Sequence, residues 1–435
     1  RVSSSLATMA WGQSSGASDL LAKAQGASSL CVLPFRSFGS EQCVALCDAL
    51  RANRTLTELQ ASGHNIGQPG AEALGQLLGH PGCALRRLAI GHAGFGAEGV
   101  AALLRGLEDA ACPLLALDLE LKGLGATAAA VLDALLRRCS CLQQLKLSRN
   151  PLGRALPAAG LPATLVELEL RDAAVSAEVI DALLDAAAAL PALRLVDLSE
   201  NALADEGCAR VARLLALTAI SRLKMRGCAV GGAGGEALVA AASAREARGA
   251  PLEKLDLSLN PQLCSCEGIG GFAACGVEEL DLADCALPAS AATALAAALT
   301  ARGDAARLRT LVLRSNGIDS RGCVALLACA SLHHVSLFNN PLGDDGEGVH
   351  AQEMVSAVSG SSVRTLDIGG CRLDEALVLS LLRTLAGGGA PRLQLLELMG
   401  NTCAEQSMQE ARAALKEVRP TLDVAWKQRQ NANAN

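Results

Sequence analysis

The sequence predicts an α/β repeat solenoid, with a parallel sheet on one side and helices on the other. Three observations lead to this prediction. A leucine-rich phrase, L-x-x-L-x-L-x-x-N/C-x-L, returns thirteen times between Leu56 and Cys403, at intervals of 23 to 32 residues. Amphipathic helical patterns separate most copies, and a glycine recurs where many of these helices begin. A fixed period of this length is typical of units that bury their apolar sides only by stacking on neighbours.

Each copy of the phrase opens with a short predicted strand whose fourth and sixth positions face the core, as Leu145 and Leu147 do in "LQQLKLSRNPL". The third, fifth and seventh positions lie on the opposite side of the strand and face away from the core, because side chains alternate. The thirteen copies begin at Leu56, Leu85, Leu114, Leu142, Leu165, Leu193, Ile220, Leu252, Val277, Leu308, Leu332, Val363 and Leu393.

Helical patterns such as "GAEGVAALLRGL" follow most strands and place apolar residues at spacings of three and four, which predicts one helix per repeat. Two connections differ. The segment between Asn150 and Leu165 carries three prolines, and the segment after Leu263 is short and rich in glycine. We expect an extended or turn-rich return to replace the helix in the first, and the arc to change curvature at both.

The predicted domain organisation is simple. Residues 1–28 lack periodicity and predict a flexible tail, and residues 427–435 predict a disordered one. Residues 29–426 predict a single repeat domain of about thirteen repeats between two caps. The N-terminal cap contains a helix with Ser40 as its N-cap, and the C-terminal cap is the strand "TLDVAW", whose Trp426 covers the end of the core.

Composition excludes several classes of function. The net charge of −6 and the pI of about 5.6 give no field that attracts nucleic acid. No stretch of eighteen apolar residues lacks a charge or a proline, so we expect no membrane-spanning helix. Seventeen cysteines follow the repeat register, which indicates reduced thiols and a cytoplasmic, reducing compartment. The sequence begins at Arg1, so an upstream targeting peptide and an organelle stay open.

The ninth position of the phrase predicts a structural ladder beneath the turn that leaves each strand. An asparagine amide there can bond to backbone groups, and a cysteine thiol is small and weakly polar enough to replace it. The predicted ladder consists of Asn150, Asn201, Cys228, Asn260, Cys285, Asn316, Asn340, Cys371 and Asn401.

The outward strand positions predict a partner-binding surface that is mostly acidic, with basic residues around repeats four to seven. The neutral alternative is that these side chains are simply solvated. If the surface binds, complementary charge favours a basic or mixed-charge protein. The candidate residues are Asp118, Lys146, Glu169, Arg171, Asp197, Arg222, Lys224, Arg226, Asp256, Asp281, Arg314 and Phe338.

No pattern indicates catalysis, a cofactor or a metal. The run "VGGAGGE" from Val230 lacks the lysine and hydroxyl residue of a phosphate-binding loop. The two "CSC" pairs have no second pair at the spacing of a zinc site, and no nucleophile has a local signature of a base. We therefore expect a protein that is not an enzyme and has no cofactor, metal site or catalytic residue.

The phrase, units of 27 to 31 residues and the "L-x-x-x-G-x-x-x-L" helix starts resemble the ribonuclease-inhibitor-like class of leucine-rich repeat proteins, over roughly residues 30–426. The resemblance implies a right-handed α/β horseshoe or arc with the sheet on the concave side and helices on the convex side. The class includes ribonuclease inhibitor, the repeat domains of Nod-like receptors and Ran GTPase-activating protein. It implies protein binding without naming the partner.

We therefore expect a non-enzymatic interaction scaffold or a structural subunit of a larger assembly, binding its partner through the concave sheet and edge loops. The alternative is a GTPase-activating protein resembling Ran GTPase-activating protein. That family usually carries a long acidic stretch after the repeats, whereas this chain ends in "KQRQNANAN".

Overall fold

The computed structural model describes residues 8–10, 21, 24, 26–33, 37–344 and 351–426. It contains two compact units. The first comprises residues 1–202 and 217–220, and the second comprises residues 203–216 and 221–435. The expected single domain over residues 29–426 stays a prediction. The tail predicted at residues 427–435 lies outside the described residues.

The first unit is built on parallel strands that follow one another in chain order, each hydrogen-bonded to the next. The strands are β1 Thr8–Ala10, β2 Ser29–Cys31, β3 Glu58–Ser62, β4 Arg87–Gly91, β5 Ala116–Asp118, β6 Gln144–Lys146, β7 Glu167–Glu169 and β8 Leu195–Asp197. The helices between them are α1 Ser40–Leu50, α2 Gly67–Gly79, α3 Gly96–Leu107, α4 Ala129–Arg138 and α5 Ala177–Ala186.

The second unit repeats the same arrangement, again with parallel strands in chain order. Its strands are β9 Arg222–Lys224, β10 Lys254–Asp256, β11 Glu279–Asp281, β12 Thr310–Val312, β13 His334–Ser336, β14 Thr365–Asp367, β15 Leu395–Glu397 and β16 Asp423–Ala425. The remaining helices are α6 Ala204–Leu217, α7 Gly232–Ala247, α8 Gly271–Ala274, α9 Ala289–Arg302, α10 Ser320–Leu327, α11 Ala351–Gly360, α12 Glu375–Ala386 and α13 Glu405–Val418.

Stacked aliphatic side chains form the core of each unit. The fourth phrase position aligns from strand to strand, so that Leu117, Leu145 and Leu168 are Cα partners in the first unit. All three are fully or almost fully buried. Each such side chain contributes about 1.5–3 kcal/mol on burial. The expected α/β leucine-rich repeat solenoid is confirmed.

Small residues allow neighbouring helices to approach closely. A side chain at Gly75 of α2 would collide with the backbone of α3, and one at Gly106 of α3 would collide with the backbone of α2. Glycine is therefore required at both positions, since any Cβ would push the two helices apart.

The two irregular connections are confirmed. Residues 151–166, all of which the structure describes, contain two short 3₁₀ turns, Gly153–Ala155 and Ala158–Gly160, in place of an α-helix. After β10, a 3₁₀ turn over Pro261–Ser265 and the one-turn helix α8 replace the usual helix. Proline fixes φ and donates no backbone hydrogen bond, which explains the first case.

The N-terminal region differs from the prediction in two details. Thr8–Ala10, inside the expected flexible tail, pair with Ser29–Cys31, because an edge strand offers unpaired backbone groups. The N-cap of α1 is Gly39, not Ser40. The Ser40 hydroxyl instead donates to the carbonyl oxygen of Ile66 at 2.6 Å, which ties α1 to the next repeat.

In the part of the chain that the structure describes, no helix has both the length and the apolar character that crossing a bilayer requires.

Candidate functional site

The ninth-position asparagines join consecutive repeats through their backbones. Asn260 Oδ1 accepts from the amides of Cys228 and Val230 at 2.8 and 3.0 Å. Its Nδ2 donates to the carbonyl oxygens of Met225 and Leu257 at 2.9 and 2.7 Å. One buried amide thus satisfies backbone groups of its own repeat and of the preceding one.

The same pattern holds at the other asparagines of the ladder. In every case the Oδ1 atom accepts from the preceding repeat, and Nδ2 donates to carbonyl oxygens of both repeats, at Asn150, Asn201, Asn316, Asn340 and Asn401. Asn316 is half-buried, whereas the other ladder asparagines are buried.

The ladder cysteines provide only part of this bonding. Cys285 Sγ donates to the carbonyl oxygen of Leu257 at 3.2 Å, and Cys371 Sγ donates to that of Leu337 at 3.1 Å. Burial raises the pKa of each of these two thiols to about 12. Both therefore stay protonated donors at neutral pH.

Four copies of the phrase in the first unit depart from the ladder at their ninth position. These residues are His64, Ala93, Lys122 and Ala173. His64 is 4% exposed, and its Nε2 lies 3.2 Å from the carbonyl oxygen of Val32. Lys122 is also only 4% exposed, although its side chain is cationic. Lys122 is not one of the predicted site residues, although the repeat register places it in this slot.

The predicted partner-binding residues of the first unit form a continuous row on the outward side of the sheet. Asp118, Lys146, Glu169 and Asp197 are Cα partners across β5 to β8. Lys146 Nζ lies 3.2 Å from Glu169 Oε1, and Arg171 pairs with a glutamate in the following turn at 2.5 Å. Lys146 therefore offsets Glu169, whereas Asp197 places a second carboxylate on the other side of Glu169.

Asp197 is placed differently from the other candidates. It is only 8% exposed, and its Oδ1 accepts from the Ser199 amide at 3.0 Å. The other candidates are half-buried or exposed. Asp197 therefore presents little of its carboxylate to a partner.

The outward face of the first unit also contains a cavity of about 310 Å³, which we name the Ser62 cavity. Alanine side chains at Ala89 and Ala116, where other repeats carry longer residues, leave this space open. Its polar lining consists of Glu58, Gln60, Ser62, Arg87, Asp118, Gln144 and Lys146. At this size it lies at the lower end of the range of about 300–1,000 Å³ typical of ligand pockets.

The second unit carries two pairs of adjacent carboxylates on its outward sheet face. Asp256 and Asp281 are Cα partners across β10 and β11, and Asp367 and Glu397 are partners across β14 and β15. We call these four residues the paired carboxylates. Hydrogen bonds fix three of them. Asp256 accepts from Ser258, and Asp281 accepts from Ala283. Asp367 accepts from Ser336 and Gly369.

One member of each carboxylate pair has a raised pKa. Burial raises the pKa of Asp281 and the adjacent Asp256 adds to the shift, while a backbone amide and two nearby cations oppose it. Burial also raises the pKa of Glu397, followed by the charge of Asp367, while Arg314 opposes the shift. A cation placed between the members of either pair would relieve this repulsion.

An aromatic side chain lies beside the second carboxylate pair. The guanidinium carbon of Arg314 lies 5.1 Å from the centre of the Phe338 ring, within range of a cation–π contact. A Cβ at Gly369 would meet the carbonyl oxygen of Met399 at 2.8 Å and the Phe338 ring at 3.0 Å, so these groups pack closely around this glycine. The remaining predicted residues of this unit, Arg222, Lys224 and Arg226, are half-buried.

The described residues contain no group of three or more histidine, cysteine or acidic side chains arranged to hold a metal ion. All seventeen cysteines are free thiols, and only Cys264 among them is exposed.

Comparison with known proteins gives a consistent family likeness. The leucine-rich repeat family model matches residues 52–75 and 307–327. The chain is 25% identical to ribonuclease inhibitor of Mus musculus over 451 aligned positions, which cover 88% of this chain and 91% of the mouse protein. It is also 25% identical to ribonuclease inhibitor of Sus scrofa over 420 positions, which cover 87% of this chain and 84% of the pig protein.

A solved structure shares the fold at lower identity. The Toll-like receptor chain in the crystal structure of a TLR13–ssRNA13 complex matches with a TM-score of 0.54 and 16% identity, covering 94% of this chain and 54% of that chain. At this identity the match supports the fold alone. The repeat geometry therefore makes the chain a leucine-rich repeat solenoid, and the family match and the two curated relatives make it similar to ribonuclease inhibitor.

Proposed function

We propose that this protein is a non-enzymatic protein-binding scaffold, and that the paired carboxylates of its second unit bind a basic segment of a partner protein. The observation that carries the proposal is the alignment of Asp256 with Asp281 and of Asp367 with Glu397 on one sheet face. Like charges held this close favour a cationic partner, which removes their repulsion.

The neighbouring apolar groups support the same proposal. Phe338, half-buried and stacked by Arg314, lies next to the second carboxylate pair. Aromatic residues commonly carry the binding energy of an interface, while charged groups select the partner and its orientation. A lysine or arginine side chain can lay its aliphatic part on such a ring and direct its charge to the carboxylates.

The comparisons support protein binding in general terms. The two curated relatives are named ribonuclease inhibitor, which describes proteins that act on another protein. The partner of this chain, its membership of a larger assembly and its presence in a reducing compartment belong to the proposal. The net charge of −6 supports a basic protein over nucleic acid as the partner.

Charge reversal tests the proposal. In affinity capture from a native extract, the double variant Asp256→Lys/Asp281→Lys and the double variant Asp367→Lys/Glu397→Lys should each lose the bound partner, with affinity at least about tenfold weaker when the purified partner is titrated. The wild-type interaction should also weaken as salt rises.

The control is Glu405→Lys/Glu410→Lys, which makes the same change of charge at two exposed positions on α13. It should bind as the wild type does. If both sheet variants retain the wild-type affinity and its salt dependence, the paired carboxylates do not form the binding surface. We leave Asp197 unchanged in these variants because it is largely buried.

A further inference from the structure

Lys122 occupies a slot that is unfavourable for an ammonium group. The corresponding residue in the next repeat is Asn150, whose amide makes four or more backbone contacts from this position. Lys122 is only 4% exposed, so little of its side chain meets water. Burying a cation is unfavourable unless it is paired and hydrogen-bonded.

The bonding of Lys122 is incomplete. An ammonium group donates three hydrogen bonds. Within the described part of the chain, Lys122 Nζ makes one, to Ser62 Oγ at 3.5 Å, the outer limit for such a bond. Burial lowers the pKa of Lys122, and the charges of Asp118 and Glu120 only partly oppose this shift. The remaining donors indicate room for an acceptor that comes from outside the chain.

Ser62 connects this ammonium to the Ser62 cavity. The Ser62 hydroxyl accepts from Lys122, and Ser62 lines the cavity. An ammonium cannot accept a proton in return, so the hydroxyl proton of Ser62 is available to an acceptor in the cavity. The guanidinium of Arg87 lines the same cavity and adds further donors.

The two cations that line the cavity, Arg87 and Lys146, already have carboxylate partners. Arg87 lies 3.8 Å from Glu58, and Lys146 lies 3.2 Å from Glu169. Asp118 Oδ1 accepts from the Glu120 amide at 2.9 Å. Lys122 is the buried charge at this place whose hydrogen bonding is least complete, so an entering anion gains most from it.

We propose that the Ser62 cavity is a subsite for the carboxylate of an acidic side chain, held by Lys122 through Ser62 Oγ and by the guanidinium of Arg87. The source of that carboxylate, a bound protein, rests on the proposed function, whereas the chemistry of the subsite does not. The volume of about 310 Å³ suits one side chain. The partner would then carry an acidic anchor as well as the basic segment that the second unit binds.

The repeat itself supplies the best test variant. Lys122→Asn introduces the residue that Asn150 and Asn201 show to fit this slot, so the variant should fold. We expect its Tm to equal or exceed that of the wild type, because an amide can satisfy the backbone where an ammonium does not. We also expect it to lose carboxylate binding. A gain in stability with a loss of binding is typical of a residue kept for function.

Binding is measured by NMR titration of the full chain, with lysine labelled at Cε, using blocked glutamate (N-acetyl-glutamate methylamide) as the probe. Blocked glutamate should perturb Lys122 and raise its pKa, whereas blocked glutamine should do neither. Lys122→Asn should weaken the binding of blocked glutamate at least about tenfold, a loss of about 1.4 kcal/mol. Ser62→Ala, which removes the hydroxyl that links Lys122 to the cavity but leaves the slot unchanged, should weaken it comparably and keep the wild-type Tm.

The matched control is Lys416→Asn, which removes a surface lysine paired with Asp423 at 3.1 Å and should leave binding unchanged. The proposal is overturned if the wild type does not respond to blocked glutamate, if Lys122→Asn binds it equally well, or if Lys122→Asn unfolds at a clearly lower temperature. A chain that binds blocked glutamate but captures no protein contradicts the proposed function alone. A chain that captures its partner but binds blocked glutamate equally well in Lys122→Asn contradicts the subsite alone.

Discussion

In the second unit, every copy of the phrase has asparagine or cysteine at its ninth position, whereas the first unit departs from this rule at His64, Ala93, Lys122 and Ala173. The slot does the same work in both units, since Asn150 in the first and Asn260 in the second bond to the backbone in the same way. The difference indicates that single repeats can lack the ladder asparagine or cysteine and the backbone hydrogen bonds that it makes. Where the first unit has the buried Lys122 instead, the Ser62 cavity lies close by.

The sheet faces of the two units differ in a related way. Along β5 to β8 of the first unit, Lys146 interrupts the carboxylates and pairs with Glu169 at 3.2 Å. In the second unit, the paired carboxylates lie side by side, and the pKa of Asp281 and that of Glu397 are raised. In the first unit one cation, Lys146, bonds directly to a carboxylate of the row, whereas a basic partner would reduce the repulsion within the paired carboxylates of the second.

The largest expected effect comes from placing a lysine at a ladder asparagine of the second unit. Asn260→Lys removes the bonds to Cys228, Val230, Met225 and Leu257 and buries an ammonium without a partner. We expect a loss of about 3–5 kcal/mol in the free energy of unfolding. Urea unfolding followed by circular dichroism measures it. An unchanged midpoint would show that the slot accepts lysine anywhere, and the special status of Lys122 would disappear.

A smaller effect is expected when a ladder asparagine or a ladder cysteine of the second unit is replaced by alanine, and the two losses of stability should differ. Asn260→Ala leaves backbone amides and carbonyls of two repeats without their partner and should cost about 2–4 kcal/mol. Cys285→Ala removes one weak donor and a little volume, so its cost should be about 1 kcal/mol. The same urea experiment compares them. Equal losses would mean that packing, rather than hydrogen bonding, determines how much a ladder residue contributes to the free energy of unfolding.

Relief of backbone strain should produce a similar gain in both units. Leu121 in the first unit and Leu259 in the second both have φ of 55°, a left-handed conformation that leucine adopts at a cost. They are 50% and 38% exposed, so little apolar burial is lost on replacement. We expect Leu121→Gly and Leu259→Gly each to raise the free energy of unfolding by about 0.5–1 kcal/mol. A loss in either variant would indicate packing that outweighs the strain.

The smallest effect concerns the charge of Asp281. Because its pKa in the folded protein is raised above the usual value of 3.8, the ionised group disfavours folding above that range and has no such effect below it. Asp281→Asn should therefore stabilise the chain at pH 7 by roughly 0.3 kcal/mol, the scale of an exposed charge interaction. Thermal unfolding at several pH values measures this gain, which should vanish as the pH falls below 3.8. A gain that persists in acid would have another cause.

Much of the fold followed from the sequence because the repeat applies one physical rule many times. Leu117, Leu145 and Leu168 occupy the same phrase position, and strand alternation directs all of them to the core. Prolines between Asn150 and Leu165 indicated the missing helix for an equally local reason. The N-cap of α1 was misassigned because Ser40 bonds to Ile66 in the next repeat, and a contact between repeats is not visible in a local pattern.

The sequence by itself determined the period, the buried leucines, the ladder and which strand positions face outward, since each depends on spacing along one strand or helix. Only the tertiary structure decided what these residues meet. It buried Asp197, paired Lys146 with Glu169, set Asp367 beside Glu397 and brought the ammonium of Lys122 to Ser62, sixty residues earlier in the chain. Such encounters depend on how repeats stack, and stacking brings together side chains that no local pattern connects.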